Sequence, residues 1–392
     1  MQDLHIAHAN LGLPWVNTLA ADRHGSAMYA DVSVVPDMDS TQLERCAPSK
    51  HAAALRSAAG LVVLNGARGD CAWHLDNRSP VPGLIPIERM PVAFRSDWVH
   101  NSNDSFYYTH PSQKFVGISP LVGDASLTRP RTRAGLAEIP ALLGRGKVTL
   151  QSIQEQLFQN RNFMASVIMP DLMSACGKAP TETSRDGCAA LTGWDNRSNI
   201  ESRGAHLFRE FWRSARSIPN VFRVPFDPKA PVSTPAGLKM DDPEVAAKVW
   251  AALEGAVKGV RSSGFALDAT LGSVQRPSII EEHIPLHGGE EFEGVLNNLG
   301  RQEPAPLNAR GLRVDYGTSY VQTVTFDARG PVAQAILTYG QSTNLASPHA
   351  SDQMRAFSAK RWHTLPFHLE DIAKQRIGQS LRLELAPDSN IH

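Results

Sequence analysis

Two stretches suited to antiparallel pairing stand near opposite ends of the 392-residue chain, and their placement constrains the fold more than any other feature. The first, LPWVNTLAADRHGSAMYADVSVVP from Leu13 to Pro36, sets two apolar-rich runs either side of Asp22, Arg23, His24 and Gly25. It predicts a hairpin with Gly25 in the turn. The second, SYVQTVTFDARGPVAQAILTYGQS, sets Asp327, Ala328, Arg329 and Gly330 between β-rich runs. Between these ends, apolar residues recur at helical spacing over 133–176, as at Ile153, Leu157, Phe163 and Ile168, and over 199–217, as at Leu207, Phe208, Phe211 and Trp212. A Pro-rich linker from Val224 to Gly237 stiffens the chain between helices. A helix follows, with Asp242 as N-cap, Pro243 at its first position and Glu244 in its first turn, running to about Ser262. The order sheet, helices, sheet predicts an α+β fold with strands contributed by distant parts of the chain. It divides the sequence into a sheet-rich part at 1–140, a mainly helical part at 141–275, and return strands with a C-terminal helix at 276–392.

Composition narrows the partners. Lys plus Arg and Asp plus Glu number 39 each, so no overall field draws the molecule to nucleic acid or to an anionic membrane. No apolar run is long enough to span a bilayer, and the opening MQDLHIAHAN has neither a basic leader nor an apolar core of the kind that directs export. The four cysteines fall as two close pairs, Cys46 with Cys71 and Cys176 with Cys188. Two local disulfides suit an exported protein and four reduced thiols suit a cytosolic one; spacing leaves both open. Zinc is disfavoured by the lack of C-x-x-C spacing.

Several catalytic patterns are tested and fail. Gly340-Gln341-Ser342-Thr343-Asn344 lacks the last glycine of a nucleophile elbow. The run Glu281, Glu282, His283, His287, Glu290 and Glu291 lacks H-E-x-x-H spacing and reads as a solvated acidic loop beside Gly288 and Gly289. No phosphate-cradling glycine motif occurs, so neither a metal nor a nucleotide or other cofactor is indicated.

The distinctive stretch runs from Phe94 to Arg133, FRSDWVHNSNDSFYYTHPSQKFVGISPLVGDASLTRPRTR. Asn101-Ser102-Asn103-Asp104, followed by aromatic residues and His110-Pro111, resembles the N-S-N-D-S-x-W/Y-L-T-N-P segment of acyl-homoserine lactone acylases; penicillin acylases have a related Asn-Trp-Asn-Asn there. Pro130-Arg131-Thr132-Arg133 resembles the family's P-R-x-R segment. Blocks at 13–25, 202–212 and 337–353 agree in the same order. The resemblance, to the penicillin acylase and acyl-homoserine lactone acylase family of N-terminal-nucleophile hydrolases, covers nearly the whole chain.

That resemblance implies a four-layer αββα sandwich with a helical excursion, of which this chain is the later part of the β chain. It implies an exported, periplasmic or secreted enzyme without cofactor, acting on an acylated small-molecule amide. In the family a serine at the β amino terminus attacks the amide carbonyl, its own α-amine, which titrates near pH 8, acting as base. Matched by position, Asn103 is the side-chain half of the oxyanion hole and Arg131 the arginine that orients the amine and that asparagine. Trp15 and Val16 match a pair lining the acyl pocket, although a core tryptophan at a strand start reads the same way. Tyr107 and Tyr108 pack beneath the site. Gln341, Ser342, Ser347, Pro348, His349, Asp352 and Gln353 match a segment read as structural, with His349 a hydrogen-bonded loop histidine. The α chain, the cleavage site and the N-terminal β segment carrying the serine and the backbone oxyanion donor are expected to lie outside this chain. Two readings follow: part of an amide-hydrolysing acylase, or an inactive binding or complementing subunit.

Overall fold

A computed structural model describes residues 1–125, 128–303 and 305–384. The chain divides into two compact units, one of residues 1–148 and 155–318, the other of residues 149–154 with the chain from Ser319 onward.

In the first unit, helix α1 (Gln2–His8) precedes the predicted hairpin of β1 (Asn17–Ala21) and β2 (Ala27–Asp31). Its turn closes on one carboxylate: Asp22 Oδ1 accepts from the backbone N–H of His24 at 2.8 Å and of Ser26 at 3.0 Å, while Gly25 takes φ +90°, which costs glycine least. After α2 (Ser40–Arg45) and α3 (Lys50–Ala59), β3 (Val92–Arg95) returns antiparallel on the other side of β2, giving the order β1-β2-β3. Central β2 is covered on both faces, Met28 and Ala30 packing with Val32, Ile85 and Met90, and Tyr29 with Ala93 and Phe106. The long β2–β3 connection is tied by the Cys46–Cys71 disulfide.

The helices between the hairpins are α4 (Pro130–Leu143), α5 (Leu150–Phe158), α6 (Phe163–Ala175), α7 (Glu182–Thr192), α8 (Ala205–Ala215) and α9 (Pro243–Ser262). Their core joins Ile168 and Leu172 of α6, Leu207, Phe208 and Phe211 of α8, and Val249, Leu253 and Val257 of α9, and a second disulfide, Cys176–Cys188, links the end of α6 to α7. Asp242 caps α9, its Oδ1 accepting from the N–H groups of Glu244 and Val245, as its sequence predicts. The Pro-rich segment does not hold helices apart. It folds back on itself, β4 (Phe222–Val224) pairing antiparallel with β5 (Ala236–Leu238), because the Thr234 hydroxyl accepts from Asp227 N–H at 2.9 Å and donates to carbonyls in the loop.

Short α10 (Leu271–Val274) leads into β6 (Gln275–Pro277), and β7 (Leu299–Gly300), β8 (Leu312–Val314) and β9 (Tyr316–Gly317) follow; β6 pairs with β8 in parallel and β7 with β9 antiparallel. At their base lies a buried ion pair: Arg209 Nε donates to Glu293 Oε2 at 2.7 Å, and the carboxylate also accepts from Asn162 Nδ2 and Glu290 N–H.

In the second unit, β10 (Tyr320–Phe326) and β11 (Pro331–Leu337) form the second predicted hairpin, Asp327 Oδ1 accepting from Arg329 and Gly330 N–H. Helix α11 (Asp352–Ser358) packs on β11, β12 (His363–Leu365) pairs beside it, and α12 (Leu369–Gln375) follows. The fold is α+β. Among the described residues each end hairpin is completed by its own third strand, β3 in the first unit and β12 in the second.

Candidate active site

The site is built on a turn that its own side chains shape. Asn101 Oδ1 accepts from Asn103 N–H at 2.8 Å and Asn101 Nδ2 donates to Asp104 O at 3.0 Å, which bends the chain so that Asn103 takes φ +57°. Asparagine enters this left-handed region more readily than other side-chain-bearing residues. A second asparagine, Asn17 of β1, receives the Tyr29 hydroxyl at 2.5 Å and the Asn101 amide at 3.5 Å, so the turn rests on the edge of the first sheet.

Asp104 fastens the turn to α4. Arg129, at the N-cap, offers no side-chain acceptor. In its place, Asp104 Oδ2 accepts from Arg129 N–H at 2.9 Å and from the Thr132 hydroxyl at 2.7 Å, and Asp104 Oδ1 accepts from Ser105 N–H at 2.9 Å. A carboxylate at a helix N-terminus satisfies free N–H groups and complements the helix dipole. The helix thus enters at a fixed distance from Asn103, and its second residue is Arg131.

Arg131 Nη2 donates to Asn103 Oδ1 at 2.9 Å and, with Nε, to Glu291 Oε2 at 3.2 and 3.3 Å; Asn298 Nδ2 approaches the same oxygen at 3.4 Å. Because the guanidinium occupies the Asn103 carbonyl, the amide's Nδ2 faces outward on an exposed residue, without a protein partner among the described residues. A fixed N–H donor on an open surface beside a permanent cation suits stabilisation of a developing oxyanion.

His100 lies beneath. Its Nε2 is 2.7 Å from Ser102 Oγ, and burial, with Arg131 nearby, pushes its pKa down to about 4, so it is neutral near pH 7. Gly135 of α4 makes room for it: a Cβ there would stand 2.2 Å from His100 Nε2.

The sequence-predicted residues divide. Asn103 and Arg131 are in contact. Trp15 and Val16 precede Asn17 and so lie near the turn; Trp15 is no core tryptophan, being 78% exposed. Tyr108 and Phe106 are buried under the turn, Tyr107 is half-buried, and the four cysteines lie elsewhere as two disulfides. His349 Nδ1 pairs with Asp352 Oδ2 at 2.8 Å in the second unit. The acidic run is exposed at Glu281, Glu282 and His283, the last with its Nε2 2.6 Å from the Gly272 carbonyl; Glu290 and His287 are buried, and Glu291 is drawn into the site by Arg131. Charge density in the sequence suggested water, but cations from distant helices supply the partners. Asp104, Thr132, His100 and Glu291 carry no role in the sequence reading, although Asp104 and Thr132 stand within the two segments that carry the resemblance.

The penicillin amidase family model matches residues 1–374. The chain is 37% identical over 369 residues to acyl-homoserine lactone acylase PvdQ of Pseudomonas syringae pv. syringae, covering 92% of this chain and 46% of that protein. It is 35% identical over 378 residues to aculeacin-A acylase of Actinoplanes utahensis, covering 92% of this chain and 46% of that protein. The chain therefore spans about half the length of the curated relatives it matches. Its fold is similar to that of a thermostable penicillin G acylase from Alcaligenes faecalis, with TM-score 0.50 and 16% identity over 98% of this chain and 70% of that one.

Proposed function

This chain belongs to the penicillin amidase family, and we propose that it forms the part of an amide-hydrolysing acylase that holds the side-chain half of the oxyanion hole. The observation that carries the reading is Asn103, fixed in a left-handed turn with its carbonyl taken by Arg131 and its amide nitrogen without a partner among the described residues. In this mechanism an N-terminal serine, carried on a segment outside these residues, attacks the carbonyl carbon of an acyl amide while its α-amine takes the hydroxyl proton. Charge develops on the carbonyl oxygen, and Asn103 Nδ2 donates to it together with a backbone N–H from that other segment. The C–N bond breaks as the amine leaves with a proton, and water then releases the acyl group as a carboxylic acid. Arg131 keeps the Asn103 amide from rotating and disfavours protonation of a nearby α-amine.

The names of its relatives support acyl amides as substrates, with N-acyl homoserine lactones first among them. Trp15, exposed near the turn, is available to cover an aliphatic acyl chain. The four-layer sandwich is part of this proposal, the missing layers coming from the companion segment. So is export to the periplasm or medium, which the two disulfides suit.

The test is co-expression of this chain with an upstream fragment that generates the N-terminal serine, measuring fatty-acid release from an N-acyl homoserine lactone and cleavage of a chromogenic anilide. Turnover is expected only from the pair, with kcat falling about 10²–10³-fold in Asn103→Ala. Turnover by this chain alone, or full activity of the variant pair, would overturn the assignment; binding without turnover by the pair would favour an inactive binding subunit.

A further inference from the structure

The first unit holds a cavity of about 560 Å³, and Glu291 stands in its wall. Four arginines line it: Arg129, Arg133, Arg216 and Arg301. None of the four has a carboxylate partner among the described residues, and the two carboxylates in the wall are already engaged, Glu290 by Arg213 at 2.8 Å and Glu291 by Arg131 at 3.2 Å. Arg133 is 3% exposed and, among the described residues, holds the Val232 carbonyl at 2.9 Å and the face of Phe163. Arg301 Nε is buried with no hydrogen-bond partner among the described residues. Arg216 lies over the Phe292 ring, 4.8 Å from its centroid, and Phe292 and Trp212 give the cavity an aromatic wall.

Arg129 and Arg216 stand at the exposed mouth, but the buried Arg133 guanidinium and the buried Arg301 Nε leave donors without a compensating anion, which is unfavourable unless an acceptor enters. The walls also specify what kind of anion. Guanidinium groups pair carboxylates through two parallel N–H donors, and aromatic surface beside them rewards a flat apolar body that a fully hydrated inorganic ion lacks. The volume lies within the range of small-molecule pockets. We propose that this cavity binds a small organic carboxylate, its carboxylate paired by Arg216 and Arg301 and its apolar body laid against Phe292. The site does not depend on the acylase reading, since none of its four arginines touches Asn103.

The test uses the full chain and 4-fluorobenzoate as the probe, followed by ¹⁹F NMR, with 4-fluorobenzamide as the neutral counterpart of the same shape and inorganic phosphate as the anion without a body. Expected are binding of the benzoate, at least tenfold weaker binding of the amide, weaker binding still of phosphate, and a loss of about tenfold or more in Arg216→Gln/Arg301→Gln. The single variant Arg216→Gln, at an exposed position that does not threaten folding, is expected to show part of that loss. Equal binding of acid and amide, or benzoate binding unchanged in a double variant whose circular dichroism matches the parent, overturns the proposal. Phosphate binding as tight as benzoate overturns the aromatic part of it.

Discussion

Asp104 is the residue whose removal should reveal how the site is held. Asp104→Ala deletes the acceptor for Arg129 N–H at 2.9 Å and for the Thr132 hydroxyl at 2.7 Å, on a helix that has no side-chain cap of its own. Loss of an N-cap costs about 1 kcal/mol. Loss of a negative charge at the dipole's positive end costs up to about 1 kcal/mol. The buried Thr132 hydroxyl left without its partner adds about 1 kcal/mol. Their sum is about 2–3 kcal/mol. With an unfolding entropy of about 2.1 cal/mol/K per residue, a chain of this length should then lose about 3 °C in Tm. The catalytic consequence should be larger than the thermal one. The turn bearing Asn103 is no longer tied to the helix bearing Arg131, and a displacement of about 1 Å at an oxyanion donor is enough for about a hundredfold loss of kcat. In the complemented enzyme, kcat is therefore expected to fall about a hundredfold with KM within a few-fold, by the anilide assay, while calorimetry gives the Tm. Thr132→Val is the control: it removes one of the two helix contacts and should lower Tm with little effect on kcat. If Asp104→Ala retained wild-type kcat, or if Thr132→Val lost as much, the turn would be held by something else and the reasoning would fail.

Four further outcomes follow. His100 and His206 both titrate at about 4 in the folded chain because burial disfavours their charged forms, against an ordinary value near 6.5. The unfolded chain therefore binds more protons between these values, so stability is complete above about pH 6.5 and falls as pH drops towards 4, by about 3 kcal/mol for each histidine; urea midpoints against pH should show this, and His206→Gln should flatten the slope. Gly135→Ala sets a methyl where the buried His100 ring already lies, and should cost about 1–3 kcal/mol by urea denaturation, with a near-wild-type result refuting the close packing. Arg209→Met leaves Glu293 buried without its cation and should destabilise by about 3–5 kcal/mol, by the same measurement. Replacing Cys176 and Cys188 by serine removes a bridge across 12 residues, and should lower stability by about 3 kcal/mol in non-reducing buffer while leaving the parent's sensitivity to dithiothreitol only at Cys46–Cys71.

What the sequence revealed was what short-range chemistry decides. Both hairpins close on an aspartate that accepts from N–H groups within four residues, and α9 begins at an aspartate that does the same, so a window of a few residues contained the determinants. The Asn101–Asp104 turn is equally local in shape. What makes it a site is not. Arg131 is 28 residues from Asn103, and Glu291 is 160 residues from Arg131. From sequence, a run of glutamates carries only the information that charge prefers water. Whether it stays there depends on whether a cation from another helix reaches it, as Arg209 and Arg213 of α8 reach Glu293 and Glu290. The paired ends of the Pro-rich segment escaped notice for a different reason, since strands of three residues are too short to show a period.

This division also bears on which residues carry chemistry and which only hold it in place. Asn103 alone could rotate its amide, and with the oxygen facing a developing negative charge the same side chain would oppose the reaction. Arg131 removes that freedom, because its guanidinium can only donate and so accepts no orientation except the one with Oδ1 inward and Nδ2 outward. Arg131 in turn has several rotatable bonds, and Glu291 restricts them by holding Nε and Nη2 together. Each member of the chain Asn103, Arg131, Glu291 thus fixes the one before it. Arg131→Lys, which keeps the charge and loses the fork, should accordingly be nearly as damaging to kcat as Arg131→Ala if orientation is what Arg131 contributes, and nearly harmless if its charge alone matters.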